Sequence, residues 1–322
     1  MMSELPTENQ ATELFPHIEP FQTNYIGVGE GHHLYVEQSG NPQGEPVLAL
    51  HGGPGGCSTP LLRRFFDPQR YRIVLFDQRG AGRSRPYANR RRNTLPRLVA
   101  DIERIRTRLD VPSWAIVLGG SWGVTLALSY TLDYPKMVDS LALRGVFLCR
   151  KQDIDWLYTE QGAARFYPED WQRFIDAPPP GGRPLLERYH YEFLGVDGMR
   201  LAREWARWEA RLSSLTSPAE PDIDDDPRAM AYVESHYFLH GGFVEQPLLP
   251  RCASIRCPVE IVHGRYDMVC PPEQAWLLSQ ALPQANLVWV PAGHSSREPE
   301  MTRALVAAVK RLGDQGRSKV LS

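Results

Sequence analysis

No apolar run in this chain approaches the roughly 18 residues that a membrane-crossing helix needs, so a transmembrane role is not expected. The first twenty residues carry Glu4, Glu8, Glu13 and Glu19 and lack an apolar stretch, which is not the pattern of a secretory leader. Charge of one sign is not in excess: 36 Lys and Arg face 38 Asp and Glu, a net charge of −2, and neither nucleic acid nor a membrane surface is expected as a partner. Cysteine is scarce. Cys57, Cys149, Cys252, Cys257 and Cys270 are odd in number and widely spaced, which suits reduced thiols in a cytoplasm better than a disulfide framework. Cys252 and Cys257 have no second Cys or His pair beside them, so no zinc site or other metal is expected. Internal repeats are absent too. What remains is a 322-residue chain, 42% hydrophobic and 23% charged, of ordinary globular composition. That is enough for one large domain, or for a core domain with an insertion.

Short apolar runs recur, each followed by a Gly-rich or charged loop. Residues 47–50 lead into His51-Gly52-Gly53-Pro54-Gly55-Gly56, and residues 71–76 lead into a loop opening with Asp77. Further runs lie at 114–118, 141–143, 259–262 and 287–290, with helical patterns such as 98–109 and 274–281 between them. Strands alternating with helices predict a mostly parallel central sheet with helices on both faces. Tyr25-Ile26 and residues 33–37 flank a Gly-rich turn and read as an antiparallel hairpin at the sheet edge. The rhythm stops between about 148 and 250, where aromatic and charged helical patterns appear without strands. This predicts an α/β core over 1–147 and 251–322, interrupted by a helical cap over 148–250. The acidic loop 221–227 and the basic run Arg90-Arg91-Arg92 read as solvated loops.

Gly119-Gly120-Ser121-Trp122-Gly123 has the G-x-S-x-G form, between a predicted buried strand and a predicted buried helix. Strand, tight turn and helix are the context of a nucleophile elbow. A serine held there presents its hydroxyl at a helix N-terminus, where free N–H groups and the helix dipole favour developing negative charge. Taken alone, the pentapeptide also fits an ordinary Gly-rich turn.

A serine nucleophile needs a base, and the base needs an orienting acid. Asp267 and His294 each follow one of the last two predicted strands, in the order serine, acid, histidine that this arrangement uses. His294 is expected within hydrogen-bond reach of both Ser121 and Asp267. His263 competes as base, but it precedes the acid at a strand end and reads as structural. His190, His236 and His240 follow no strand. Two backbone donors are needed for the oxyanion. The N–H of Trp122 is one candidate, and the loop of Gly52 and Gly53 supplies the other, assigned to Gly53. That loop lacks the Lys-Ser/Thr of a P-loop.

These motifs resemble the proline iminopeptidase (prolyl aminopeptidase) family of the α/β-hydrolase fold. The matching pieces are His51-Gly52-Gly53-Pro54-Gly55, Asp77-Gln78-Arg79-Gly80-Ala81-Gly82-Arg83-Ser84, the Ser121 pentapeptide and Arg144-Gly145-Val146-Phe147. In the cap and beyond they are Trp205-Ala206-Arg207-Trp208-Glu209, Glu234-Ser235-His236-Tyr237-Phe238, Gly264-Arg265-Tyr266-Asp267 and Ala292-Gly293-His294. The resemblance implies a cofactor-free serine exopeptidase acting on peptides with a free N-terminal proline. It implies that Glu209 and Glu234 bind the substrate's amino terminus, and that Phe147, Phe238 and Cys270 line the ring pocket. A prolyl ammonium has two N–H donors and one charge, and charge-assisted bonds to two carboxylates are the strong kind. The chain departs from the family pattern at Leu157, where an aromatic is usual. Two alternatives are a hydrolase of small esters or amides and a non-catalytic ligand-binding protein of the same fold.

Overall fold

The structure, a computed structural model, describes residues 14–216 and 226–320. Glu4, Glu8 and Glu13, and the acidic loop as far as residue 225, lie outside the described residues. One eight-stranded sheet runs in the order β1-β2-β4-β3-β5-β6-β7-β8. Its strands are β1 (Pro20–Gly29), β2 (His32–Gly40), β3 (Glu45–Leu50), β4 (Tyr71–Phe76), β5 (Ile116–Gly120), β6 (Leu141–Arg144), β7 (Val259–Gly264) and β8 (Ala285–Val290). β2 is antiparallel to both β1 and β4, and all other pairings are parallel. The edge hairpin turns through Glu30 and Gly31, both at positive φ.

Alternate residues of each inner strand face opposite sides of a sheet. Leu48, Leu50, Val74, Phe76 and Val117 join one buried cluster. Val47, Ala49, Ile73, Leu75, Ile116 and Leu118 join another. Both faces are thus apolar, which is why these strands read as continuous hydrophobic runs. On the second face lie α1 (Pro60–Arg63) and α11 (Pro299–Val320), the latter burying Met301, Leu305, Val309 and Leu312 at near-helical spacing. On the first face lie α2 (Leu95–Arg108), α3 (Trp122–Asp133) and α10 (Pro272–Ala281). The first ten residues of α3 are all buried, so it has no polar face to show.

Between β6 and β7 the described residues form helices and no strand: α4 (Lys151–Tyr158), α5 (Pro168–Asp176), α6 (Leu185–Glu192), α7 (Gly198–Ser213), α8 (Arg228–Leu239) and α9 (Leu248–Cys252). Their shared core is aromatic: Phe174 stacks on Tyr189 and Trp208, and Tyr158 stacks on Trp205. This insertion is fastened over the strand ends. Tyr237 donates to Asn93 (2.7 Å), Trp156 to the Met268 carbonyl (2.8 Å), and the Leu148 N–H to Gln274 (2.8 Å). Chain direction diverges at β3 and β5, with β4 on one side and β6 on the other. A crevice at the carboxyl ends of such strands is where open α/β sheets bind ligands.

Candidate active site

Ser121 is the single residue between β5 and α3, with φ 57° and ψ −123°. Non-glycine residues at positive φ are strained, by about 1–3 kcal/mol. The flanking glycines are set by close approach. A Cβ on Gly119 would lie 2.4 Å from the Gly123 carbonyl oxygen, and one on Gly123 would lie 2.4 Å from that of Leu50. The Ser121 N–H donates to the Arg144 carbonyl at 2.9 Å, tying the elbow to β6.

Asp267 follows β7 and is buried. One of its oxygens accepts from the N–H groups of Val269 (3.0 Å) and Cys270 (2.7 Å), and the other lies 2.7 Å from His294 Nδ1. Burial alone would raise this carboxyl. The His294 ring and the surrounding donors outweigh burial and hold it below its ordinary value. The loop carrying His294 hangs on α7, since the N–H groups of His294 and Ser295 both donate to the Ser213 carbonyl (3.0 and 2.7 Å). Gly145, at φ +57°, makes room for the ring; a Cβ there would lie 2.9 Å from its Cε1. His263 is spent elsewhere. It accepts from the Val146 N–H at 3.0 Å and donates to the Cys270 carbonyl at 2.9 Å.

On its other side His294 meets Arg144, not Ser121. Arg144 Nη1 lies 3.1 Å from His294 Nε2 and 2.9 Å from the His294 carbonyl oxygen. The expected serine–histidine bond is therefore not formed here. The physical reason is the absent side chain at Gly120. A Cβ there would lie 2.5 Å from Arg144 Nη2, so the guanidinium rests on the elbow in that space. A guanidinium can only donate, which makes Nε2 an acceptor and places the proton on Nδ1, facing Asp267. That is the tautomer a general base requires.

Gly53 sits at φ +107°, where a Cβ would fall 2.6 Å from the Gly56 nitrogen. The loop is held by His51, whose Nδ1 donates to the Gly52 carbonyl (2.8 Å) while Nε2 accepts from the Gln78 N–H (3.0 Å). Burial lowers the His51 pKa, which fits a neutral ring with these roles. Gln78 then joins the two candidate oxyanion donors. Its amide donates to the His51 carbonyl (2.9 Å) and accepts from the Trp122 indole (3.0 Å). Sequence reading missed this brace, although its residue lies in the quoted Asp77-Gln78-Arg79 motif.

Ser121, His294, Cys270, Phe147, Phe238, Leu157, Glu209 and Glu234 all line one cavity of about 340 Å³. Phe147 and Phe238 meet edge to face at 5.6 Å. Glu209 comes from α7 and accepts from the Tyr158 hydroxyl (2.6 Å). Glu234 comes from α8 and accepts from the Trp205 indole (2.7 Å). Among the described residues neither carboxylate forms an ion pair. Burial pushes Glu209 up to about 7. Burial, with the Glu209 charge added, pushes Glu234 well above the usual range. Burial likewise keeps Cys270 a thiol. Tyr158, which also packs on Phe238 at 5.7 Å, escaped sequence reading; Leu157 beside it lines the cavity and gives its carbonyl to Trp208. Donor atoms of Asp267, Cys270 and His294 lie within 4.8 Å of one another; this cluster is the hydrogen-bonded Asp267–His294 pair with the neighbouring thiol. Among the described residues no helix is long and apolar enough to cross a membrane.

A family description of the alpha/beta hydrolase fold matches residues 45–298. A proline iminopeptidase of Xylella fastidiosa is 46% identical over 309 residues, covering 92% of this chain and 97% of that protein. Proline iminopeptidases of Neisseria meningitidis (45% identical; 91% and 96% covered) and Arabidopsis thaliana (45%; 93% and 82%) are similar over comparable lengths. Among solved structures, an alpha/beta fold family hydrolase from Bacillus anthracis aligns with a TM-score of 0.63 at 18% identity, covering 90% of this chain and all of that one. A proline iminopeptidase from Mycobacterium smegmatis aligns with a TM-score of 0.59 at 19% identity, covering 92% of this chain and 100% of that one. These two likenesses speak for the fold.

Proposed function

The chain belongs to the proline iminopeptidase family of the α/β-hydrolase fold, and from that premise we propose how it releases N-terminal proline from peptides as a serine exopeptidase. Ser121 Oγ attacks the scissile carbonyl carbon while His294 Nε2 takes its proton, and Asp267 orients and charge-stabilises the imidazolium. The N–H groups of Gly53 and Trp122 receive the oxyanion, held in register by Gln78. Collapse expels the peptide amine, which takes the proton from His294 and leaves a prolyl ester on Ser121. Water, activated by the same histidine, hydrolyses the ester and frees proline.

Glu209 and Glu234 accept the two N–H groups of the prolyl ammonium, and Phe147, Phe238 and Cys270 surround the ring. Residues 148–250 act as the cap that supplies this clamp. The observation that carries the assignment is the pair of carboxylates, half-buried Glu209 and buried Glu234, from separate helices and without cationic partners among the described residues, lining the cavity that holds Ser121. A clamp of this kind demands a free amino end, so the enzyme cuts one residue from a terminus. The small, odd number of widely spaced cysteines supports a cytoplasmic setting.

The test compares proline-arylamide, its N-acetyl derivative and a small acyl ester. Turnover of the first and not the second is expected, because acetylation removes the charge and both donors. Efficient cleavage of the acetylated substrate or of the ester alone would point to a general hydrolase, and failure of Ser121 to react with a fluorophosphonate would point to a binding protein.

A further inference from the structure

Half-buried Arg144 differs from buried Arg63 and Arg79 and from the more exposed Arg83. Arg63, Arg79 and Arg83 each meet a carboxylate at 2.6–2.7 Å. Among the described residues Arg144 has no carboxylate partner; its guanidinium bonds to His294, at Nε2 and at the carbonyl oxygen. It lines the same cavity as Glu209 and Glu234, and so does Arg297, three residues beyond His294. The Arg297 side chain is exposed and likewise forms no ion pair among the described residues. One cavity therefore carries two carboxylates without cations and two guanidiniums without carboxylates.

The proposed reaction assigns sides to these charges. The carboxylate pair holds the amino end of the substrate. His294 Nε2 hands its proton to the departing amine, so whatever surrounds Nε2 faces the departing part of the peptide. Arg144 touches that nitrogen. In a dipeptide the departing amine and the terminal carboxylate are joined through a single Cα, which brings the carboxylate close beside Nε2.

We propose that Arg144, with Arg297 at the rim, receives the free α-carboxylate of a one-residue leaving group, so that the preferred substrates are zwitterionic proline dipeptides. This rests on the exopeptidase reading and adds to it. Carboxylate binding also gives the Arg144–His294 contact a role. Arg144 caps the lone pair of Nε2 until a carboxylate draws the guanidinium away, and Nε2 is then open to the Ser121 hydroxyl. Only hydrogen bonds change partners in that step; the Ser121 proton moves to Nε2 and on to the leaving nitrogen as before.

The experiment measures kcat/KM for Pro-Ala, Pro-Ala-amide and proline-arylamide. Charge-assisted hydrogen bonds to the carboxylate should favour Pro-Ala over its amide by roughly tenfold to a hundredfold in the wild type. In Arg144→Gln that ratio should fall close to one, and Arg144→Lys should restore part of it. Arg297→Gln should lower it less. A wild-type ratio near one with proline-arylamide still cleaved overturns the proposal and leaves the exopeptidase reading intact. Failure to cleave any of the three sinks that reading, and the proposal with it. If Arg144→Gln does not fold, the wild-type ratio and Arg297→Gln still decide.

Discussion

Around the strands, charged side chains come in pairs; in the helical insertion, Glu209 and Glu234 have no ionic partner among the described residues. Arg79 meets Asp101 at 2.6 Å and Glu30 at 2.9 Å, Arg63 meets Glu37 at 2.7 Å, and Arg83 meets Asp77 at 2.7 Å. Glu209 and Glu234 are held by a phenol and an indole, both neutral donors. Paired charges position backbone: Asp77 also fixes Ser58, and Arg79 also holds the Arg92 carbonyl. They have little left to offer a ligand. An unpaired buried carboxylate costs the protein stability unless it keeps a proton, and burial does raise both of these. A cationic ligand relieves that cost. Under the proposed function, the contrast separates charges that build the scaffold from charges kept for a substrate.

The contrast can be broken at four places. Ser121→Ala leaves both sets of charges intact, so kcat should fall by about 10⁴-fold or more while free proline still binds. Calorimetry would check the binding, and lost proline affinity in a folded variant would mean the hydroxyl does more than react. Glu234→Gln removes a waiting charge. Its kcat/KM for proline-arylamide should drop by about 2–4 kcal/mol, with thermal stability unchanged or higher. Asp101→Asn should do the reverse. It strips one partner from buried Arg79 and should destabilise the fold by about 2 kcal/mol in urea, leaving the preference for free over acetylated proline as it was. If Asp101→Asn changed specificity and Glu234→Gln changed stability, the division would be wrong.

The smallest effect is a slope in pH. The Glu209 carboxyl is raised from its ordinary value of 4.5 to about 7 on folding. Across that window the native state binds more protons than the unfolded state, so this group makes stability fall as pH rises. Glu209→Gln removes the contribution. Its melting temperature should match or trail the wild type at pH 5 and exceed it at pH 8. An equal difference at both values would show that Glu209 does not titrate in this window.

Much of the architecture is legible without coordinates because it rests on local rules. Alternation along 47–50 and 71–76, buried on both faces, marks inner strands, and the glycines around Ser121 mark a turn that tolerates no side chains. The order of Ser121, Asp267 and His294 could be read because each follows a strand. The edges were less legible. The hairpin strands run longer than the sequence suggested, and α9 crosses the expected boundary at 250, since ladder pairing and helix packing, not composition, end an element.

What the chain determines by itself is the position of each reactive side chain along a strand–loop–helix rhythm, for which periodicity and turn chemistry are sufficient. What only the tertiary structure decides is who touches whom. Arg144 and His294 are 150 positions apart, Gln78 and Trp122 are 44 apart, and Tyr158 and Glu209 are 51 apart. No spacing encodes these contacts. They arise because the parallel strands deliver their carboxyl ends to one edge and the insertion closes over it. Burial then changes the chemistry of groups such as Glu209, whose pKa depends on the water removed around it and not on its neighbours in the chain.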